Sequence, residues 1–219
     1  MLTNVGGDLL SFEKLPSGAL TNQTRADHDA AFGRDWPDVE ILTLDGYTGR
    51  LNDFLTGAPD LGNYASIIIG TIAPFSRGNV SISSGDTNVY PNVNPNWISD
   101  PRDREIAVAA FKRARAIFQN GAVQPLLVGP EAYPGDTVET DERILQYITS
   151  SSSTIHHAAG TNRKGKSDDP MAVVDSRGLI GVQGLRMVDI SASTLLPPGQ
   201  PQATVYALAE KIAEDILKG

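Results

Sequence analysis

Apolar positions in this chain follow two periods, and each period marks a different kind of element. Val39 to Leu44 reads as a strand, and Ile67 to Ala73 is a short, continuous, β-branched run of the kind found in buried strands. Asn79-Val80-Ser81-Ile82-Ser83 alternates polar and apolar residues, as a half-buried strand does, and Asn88 to Val93 reads as another. Turn formers at Pro74–Gly78 and Ser84–Asp86 separate the last three segments, which together predict an antiparallel meander. Met171 to Val174 and Leu185 to Val188 read as two further short strands.

The helical period is clearest over 101–118. There Ile106, Ala110, Ala114, Ile117 and Phe118 share one face, Asp100 stands at the N-cap and Pro101 at the first helical position. Thr140 caps a second helix with Asp141 and Glu142 in its first turn and Ile144, Leu145 and Ile148 on its inner face, Tyr147 beside them. A last helix from about Gln202 to Leu217 carries Val205, Leu208, Ala209, Ile212, Ala213 and Ile216 at helical spacing, a stripe suited to packing on a core. Residues 1–35 are weakly periodic. Thr24 to Phe32 predicts a short helix with Ala26, Ala30 and Ala31 on one side, ended by Trp36-Pro37. Residues 45–62 read as loop or short helix around Leu51, Phe54 and Leu55, and 119–138 as a Pro/Gly-rich connection. The fold class expected is α+β, an antiparallel β-sheet covered by helices, in a single domain over 1–219.

Composition narrows this picture only a little. With 219 residues, 40% of them hydrophobic, the chain is long enough for a real core. A formal net charge of −8 makes nucleic acid and anionic membranes poor partners, since both need a basic surface. The absence of cysteine removes disulfides, thiolate metal sites and cysteine nucleophiles. No basic and apolar leader is apparent at the N-terminus and no apolar run is long enough to span a bilayer, so a cytoplasmic location is expected.

The chemistry concentrates late in the chain. Two of the three histidines, His156 and His157, stand directly before Ala158-Ala159-Gly160-Thr161. Imidazole is the side chain best suited to proton transfer near neutral pH, so His157 is the candidate acid or base. The alternative is a structural histidine hydrogen-bonded in a loop. Adjacent residues of an extended segment point to opposite faces, so His156 is expected to face away as a scaffold partner. Asn162 is a supporting polar residue beside the Gly-Thr turn, and His28 is expected at the surface. Adjacent histidines do not share a helix face, so no metal site is expected. Ser150 to Ser153 reads as a loop near the site or a linker. It offers hydroxyls, but without a Gly-x-Ser-x-Gly elbow it does not predict a hydrolase. Arg163-Lys164-Gly165-Lys166 is a basic loop, either solvated or anion-binding, and Asp168-Asp169 reads as a solvated or capping pair. No Gly-x-Gly-x-x-Gly lies between a strand and a helix, so these residues contain no recognisable dinucleotide cradle.

Several blocks of the sequence resemble the C-terminal part of the fungal glucose–methanol–choline (GMC) flavin oxidoreductases. They are Ser76-Arg77-Gly78-Asn79-Val80, Asn94-Pro95-Asn96-Trp97, His157-Ala158-Ala159-Gly160-Thr161, Asp169-Pro170-Met171-Ala172-Val173-Val174-Asp175, Val182 to Asp189 and Pro197 to Tyr206. The resemblance implies that residues from about 35 to 150 form the substrate-domain sheet and helices, and that 151–219 form the segment that returns to the flavin domain. It implies that His157 is the general base that takes a proton from a substrate hydroxyl. It places Gln200 at the second catalytic position, where an amide donates and accepts hydrogen bonds but is no base. Asp189, Pro201, Gln202, Ala203 and Thr204 match flavin-contacting positions.

Three functions follow as expectations. The first is a cofactor-independent enzyme that carries out a non-redox acid–base or shape-directed reaction on a fungal secondary-metabolite intermediate. Cyclisation, isomerisation, dehydration and pericyclic reactions all belong to this class, in line with a ring-closing precedent in a polyketide pathway within the family. The second is the substrate half of a split alcohol oxidase or dehydrogenase, with FAD bound mainly by another chain. The third is a non-catalytic binding remnant. The expected partners are a small-molecule substrate and either a second copy or an FAD-binding chain over the former flavin-domain interface.

Overall fold

The computed structural model describes residues 7–53, 57–175, 180–193 and 195–218. In chain order these form β1 (Gly7–Glu13), α1 (Asn22–Phe32), β2 (Val39–Leu44), β3 (Ser66–Thr71), β4 (Asn79–Ser81), β5 (Asn92–Asn94), α2 (Pro101–Phe118), α3 (Asp141–Ser151) and α4 (Gln202–Lys218). Short 3-10 turns lie at Gln124–Leu126 and Ile190–Ala192. The antiparallel strands and helices make the expected α+β class. Phe54 and Leu55, expected in a loop or short helix, lie outside the described residues. No helix among the described residues is long and apolar enough to cross a membrane. The chain divides into two compact units, Met1–Arg77 with Asn96–Ser153, and Gly78–Pro95 with Thr154–Gly219.

The first unit is built on the antiparallel sheet β1-β2-β3. The register pairs Ile41 with Ile69 and Thr43 with Ile67, so Val39, Ile41, Ile67 and Ile69 fall on one face. That face joins Leu15, Leu20 and the α2 residues Ile106, Ala109 and Ala110 in the core. Helix α2 starts where its sequence signals place it: the Asp100 carboxylate accepts from Arg102 N, and Pro101 follows. Thr140 likewise caps α3, accepting from Arg143 N at 3.3 Å, and Ile144 is buried beneath it.

Four expectations about local structure are corrected here. Ile67–Ala73 does not continue into a meander: β3 belongs to the three-stranded sheet, while β4 and β5 form a separate hairpin in the second unit. Strand β1, hidden by its weak alternation, takes the place beside β2, and Asp103 turns the chain away after β3. Its carboxylate accepts from Phe75 N at 2.8 Å, Ser76 N at 2.7 Å and the Ser76 hydroxyl. Ser150 and Ser151 are not loop but the last turn of α3, where their hydroxyls bond back to the Tyr147 carbonyl. Met171–Val174 and Leu185–Val188 form no strands: a single parallel bridge joins Lys164 and Val174, and Met171, Leu185 and Val188 are exposed. In α4, Val205, Leu208, Ala209 and Ile212 are half-buried but Ala213 and Ile216 are exposed, so the packed stripe ends early.

The largest correction concerns α1. Ala26, Ala30 and Ala31 face solvent, and the buried residues are Thr24 and His28. His28 is wholly buried, with its ring 4.9 Å from Phe32 and 6.0 Å from Phe75 and its Nδ1 3.4 Å from Asp38 Oδ1. The polar face of α1 is drawn inward because Asp38 is itself buried and needs partners. Arg25 donates to its two oxygens at 2.9 and 2.8 Å, and Leu15 N donates at 2.8 Å. Lys14 completes the cluster by donating to Asp29 at 2.6 Å.

Farther along the same unit, Tyr47, Tyr64, Tyr133 and Tyr147 form a run of edge contacts. Ring centroids are 5.1 Å apart for Tyr47 and Tyr64, 6.4 Å for Tyr47 and Tyr133 and 5.5 Å for Tyr133 and Tyr147, with Phe111 5.5 Å from Tyr147. In the second unit, Gly78 shows why the Ser-Arg-Gly and Asn-Pro-Asn blocks belong together. A Cβ there would stand 2.2 Å from the Asn94 carbonyl oxygen and 2.6 Å from that of Pro95, so only glycine lets the hairpin strands meet.

Burial pushes the His28 imidazole below its ordinary value of 6.5, while the Asp38 carboxylate opposes the shift. The unfolded chain therefore binds a proton before the folded one does as pH falls. Stability is present above about pH 6.5 and is lost as pH drops through the folded value. Urea midpoints measured from about pH 7 to 5.5 should fall in the wild type and lose most of that slope in His28→Gln. An unchanged slope in the variant would assign the effect to another group.

Candidate functional site

The site lies in the second unit, where two loop segments meet the head of α4. Residues 160–164 run along the 3-10 turn at Ile190–Ala192. Gly160 N donates to Ile190 O at 3.4 Å, Asn162 N to Ser191 O at 3.0 Å and Lys164 N to Ala192 O at 2.9 Å. The Asn162 amide also donates to Ser191 Oγ at 3.0 Å, and the Asp189 carboxylate caps the turn by accepting from Ser191 N at 2.7 Å. Gly160 has φ +79°, and a Cβ there would meet Ser193 O at 3.3 Å, so the Gly-Thr turn needs its glycine on two counts. The basic loop is tied down as well: Arg163 pairs with Asp169 at 2.5 Å and donates to Met171 O at 3.3 Å.

This framework opens a cleft of about 400 Å³ lined by His156, His157, Ile190, Pro201, Gln202, Val205 and Tyr206. His157 is half-buried and His156 exposed. Both imidazoles line the same cleft, contrary to the expected alternation. The cause is local: His156 has φ +64°, so the segment is not extended there and successive side chains no longer point apart. The turn is supported by a hydrogen bond from His156 N to Thr154 Oγ1 at 2.8 Å.

The remaining expected residues take different places. Pro201 and Gln202 line the cleft, while Ala203 and Thr204 are exposed on the first turn of α4. Gln200 is exposed just before the helix and lies outside that lining, and Asp189 and Asn162 act within the framework. Tyr206, Val205 and Ile190 were not expected in the site. Tyr206 is legible from spacing, since it stands four residues after Gln202 on one helix face. Ile190 carries no such signal. Because Pro201 and Gln202 line the cleft, the N-terminal end of α4 is at it, with first-turn N–H groups that have no intrahelical partner. Two imidazoles beside a helix N-terminus can move protons and stabilise negative charge on oxygen.

A family model described as GMC oxidoreductase matches residues 74–209. The chain belongs to the GMC oxidoreductases. Its likeness is to their C-terminal domain, as the sequence blocks imply. The chain is 50% identical over 219 residues to patulin synthase of Aspergillus clavatus, covering 97% of this chain and 35% of that protein. It is 46% identical over 220 residues to versicolorin B synthase of Aspergillus parasiticus, covering 100% of this chain and 33% of that protein. Among solved structures, an FAD-dependent oxidoreductase from Chaetomium thermophilum superposes with a TM-score of 0.67 at 28% identity, covering 93% of this chain and 33% of that one. This GMC chain thus spans about a third of the length of the curated relatives it matches.

Gly160→Ala tests the framework. A left-handed alanine costs about 1–2 kcal/mol, and its Cβ crowds the Ser193 carbonyl. Amide exchange at Gly160, Asn162 and Lys164 should accelerate about tenfold, while the core amides of α2 keep their protection. Equal protection at all three in the variant would show that the glycine is dispensable.

Proposed function

We propose that this chain supplies the proton-transfer site of an enzyme of fungal secondary metabolism, with His157 taking the proton from a substrate hydroxyl. The observation that carries the reading is the position of His157, half-buried in a cleft at the head of α4. The cleft volume falls in the range of roughly 300–1,000 Å³ typical of small-molecule sites. Ile190, Val205, Pro201 and the Tyr206 ring give it apolar walls, and Gln202 adds an amide that orients an oxygen. Relatives named for the synthesis of patulin and of versicolorin B support a secondary metabolite as substrate.

The reaction we favour is non-redox. A hydroxyl deprotonated at His157 attacks or isomerises within the same molecule, giving a ring closure, isomerisation or dehydration that needs orientation and proton transfer alone. A second reading, oxidation of an alcohol with FAD held mainly outside these residues, is favoured by the FAD-dependent structural relative. The residues present fit a flavin edge. Gln202, Ala203 and Thr204 are exposed at the helix head, where backbone N–H groups lack intrahelical partners and suit a ring carbonyl. FAD, when bound, supplies the hydride acceptor. His157 would hold the hydroxyl proton in that reading too.

His157→Gln should lower turnover of a hydroxyl-bearing aldehyde or ketone by about 100-fold or more. A variant that keeps full activity sinks both readings. A visible spectrum recorded before and after adding FAD separates them: a flavin band that stays through gel filtration favours oxidation, and ring closure by the colourless protein favours the non-redox reaction.

A further inference from the structure

We infer that His156 is a second catalytic residue, the acid that complements His157 as base in the ring closure of a hydroxy-aldehyde or hydroxy-ketone. The inference rests on the proposed role of His157. Its own support is the backbone at 156. The sequence predicts that this side chain turns away, but φ +64° returns it to the cleft, where it lines the same wall set as His157. A non-glycine residue held in the left-handed region is uncommon, and such conformations gather at functional sites. The Thr154 hydroxyl holds the turn by accepting from His156 N at 2.8 Å. His156 is also more exposed than His157, so it exchanges protons with solvent between turnovers.

Gln200, the position that the resemblance marks as second, lies outside the cleft lining and carries no transferable proton at neutral pH. His156 supplies what the amide does not. In the step, the substrate hydroxyl gives its proton to neutral His157 as its oxygen forms a bond to the carbonyl carbon. The carbonyl π pair moves to the carbonyl oxygen, which takes a proton from the His156 imidazolium. One C–O bond forms, the C=O becomes C–OH, and no electrons leave the substrate. His157 ends protonated and His156 neutral, and solvent restores both.

The test follows ring–chain exchange of δ-hydroxyvaleraldehyde by NMR with the full chain. His156→Gly suits the left-handed backbone and leaves space for a free imidazole. It should slow exchange about 100-fold, and added imidazole should restore the rate with saturation, which a merely structural role does not allow. His156→Asn also tolerates the backbone and should be slow without rescue. The double variant with His157→Gln should be little worse than either single change. A wild-type rate in both His156 variants, with His157→Gln slow, overturns this inference and leaves the His157 reading standing. Wild-type rates in all three overturn both, and no catalysis by the wild type above free imidazole at matched concentration overturns this inference.

Discussion

A carboxylate cut off from water governs the first unit. Asp38 is 1% exposed, and a buried charge without partners costs several kcal/mol, so the chain around it is obliged to bring donors inward. Arg25 arrives on α1, Leu15 N on the segment after β1, and His28 packs its ring beside them. Asp38 N also donates to Glu13 O at 3.0 Å, next to the β1–β2 ladder. One side chain thereby fixes the start of β2, the exit from β1 and the rotation of α1 about its axis. Asp103 does the same for the far end of β3, where it gathers Phe75 and Ser76.

What the sequence made legible follows from which force dominates locally. Helices α2 and α3 are set by caps and apolar periodicity, both local, and their bounds were readable to within a residue or two. β2 and β3 announce themselves as β-branched runs. β1 and the inner face of α1 do not, because their placement depends on a buried ionic cluster assembled from residues up to 23 positions apart. Alanines suggested the inner face of α1, yet alanine is also the best helix former and needs no burial. The false strands at Met171–Val174 and Leu185–Val188 have strand-like composition but lack a ladder to join.

The site was readable as far as its motif. His157, Pro201 and Gln202 line one cleft, and Gly160 is required in its block by its φ and its closeness to Ser193. His156 was misread because alternation holds only while φ keeps its sign. No periodicity signals that reversal. Tyr206 needed the helix to be recognised as a wall of the cleft rather than only as a packed element.

The tyrosine run has a spectroscopic consequence. Both tryptophans, all six phenylalanines and four of the six tyrosines belong to the first unit, and the two tyrosines of the second, Tyr90 and Tyr206, are 90% and 64% exposed. Near-ultraviolet circular dichroism needs aromatic rings in fixed, asymmetric surroundings, so its signal reports almost wholly on the unit that carries no proposed chemistry. The near-ultraviolet signal is thus chiefly a readout of how the aromatic rings of the first unit are packed, the cleft's own Tyr206 adding only an exposed ring.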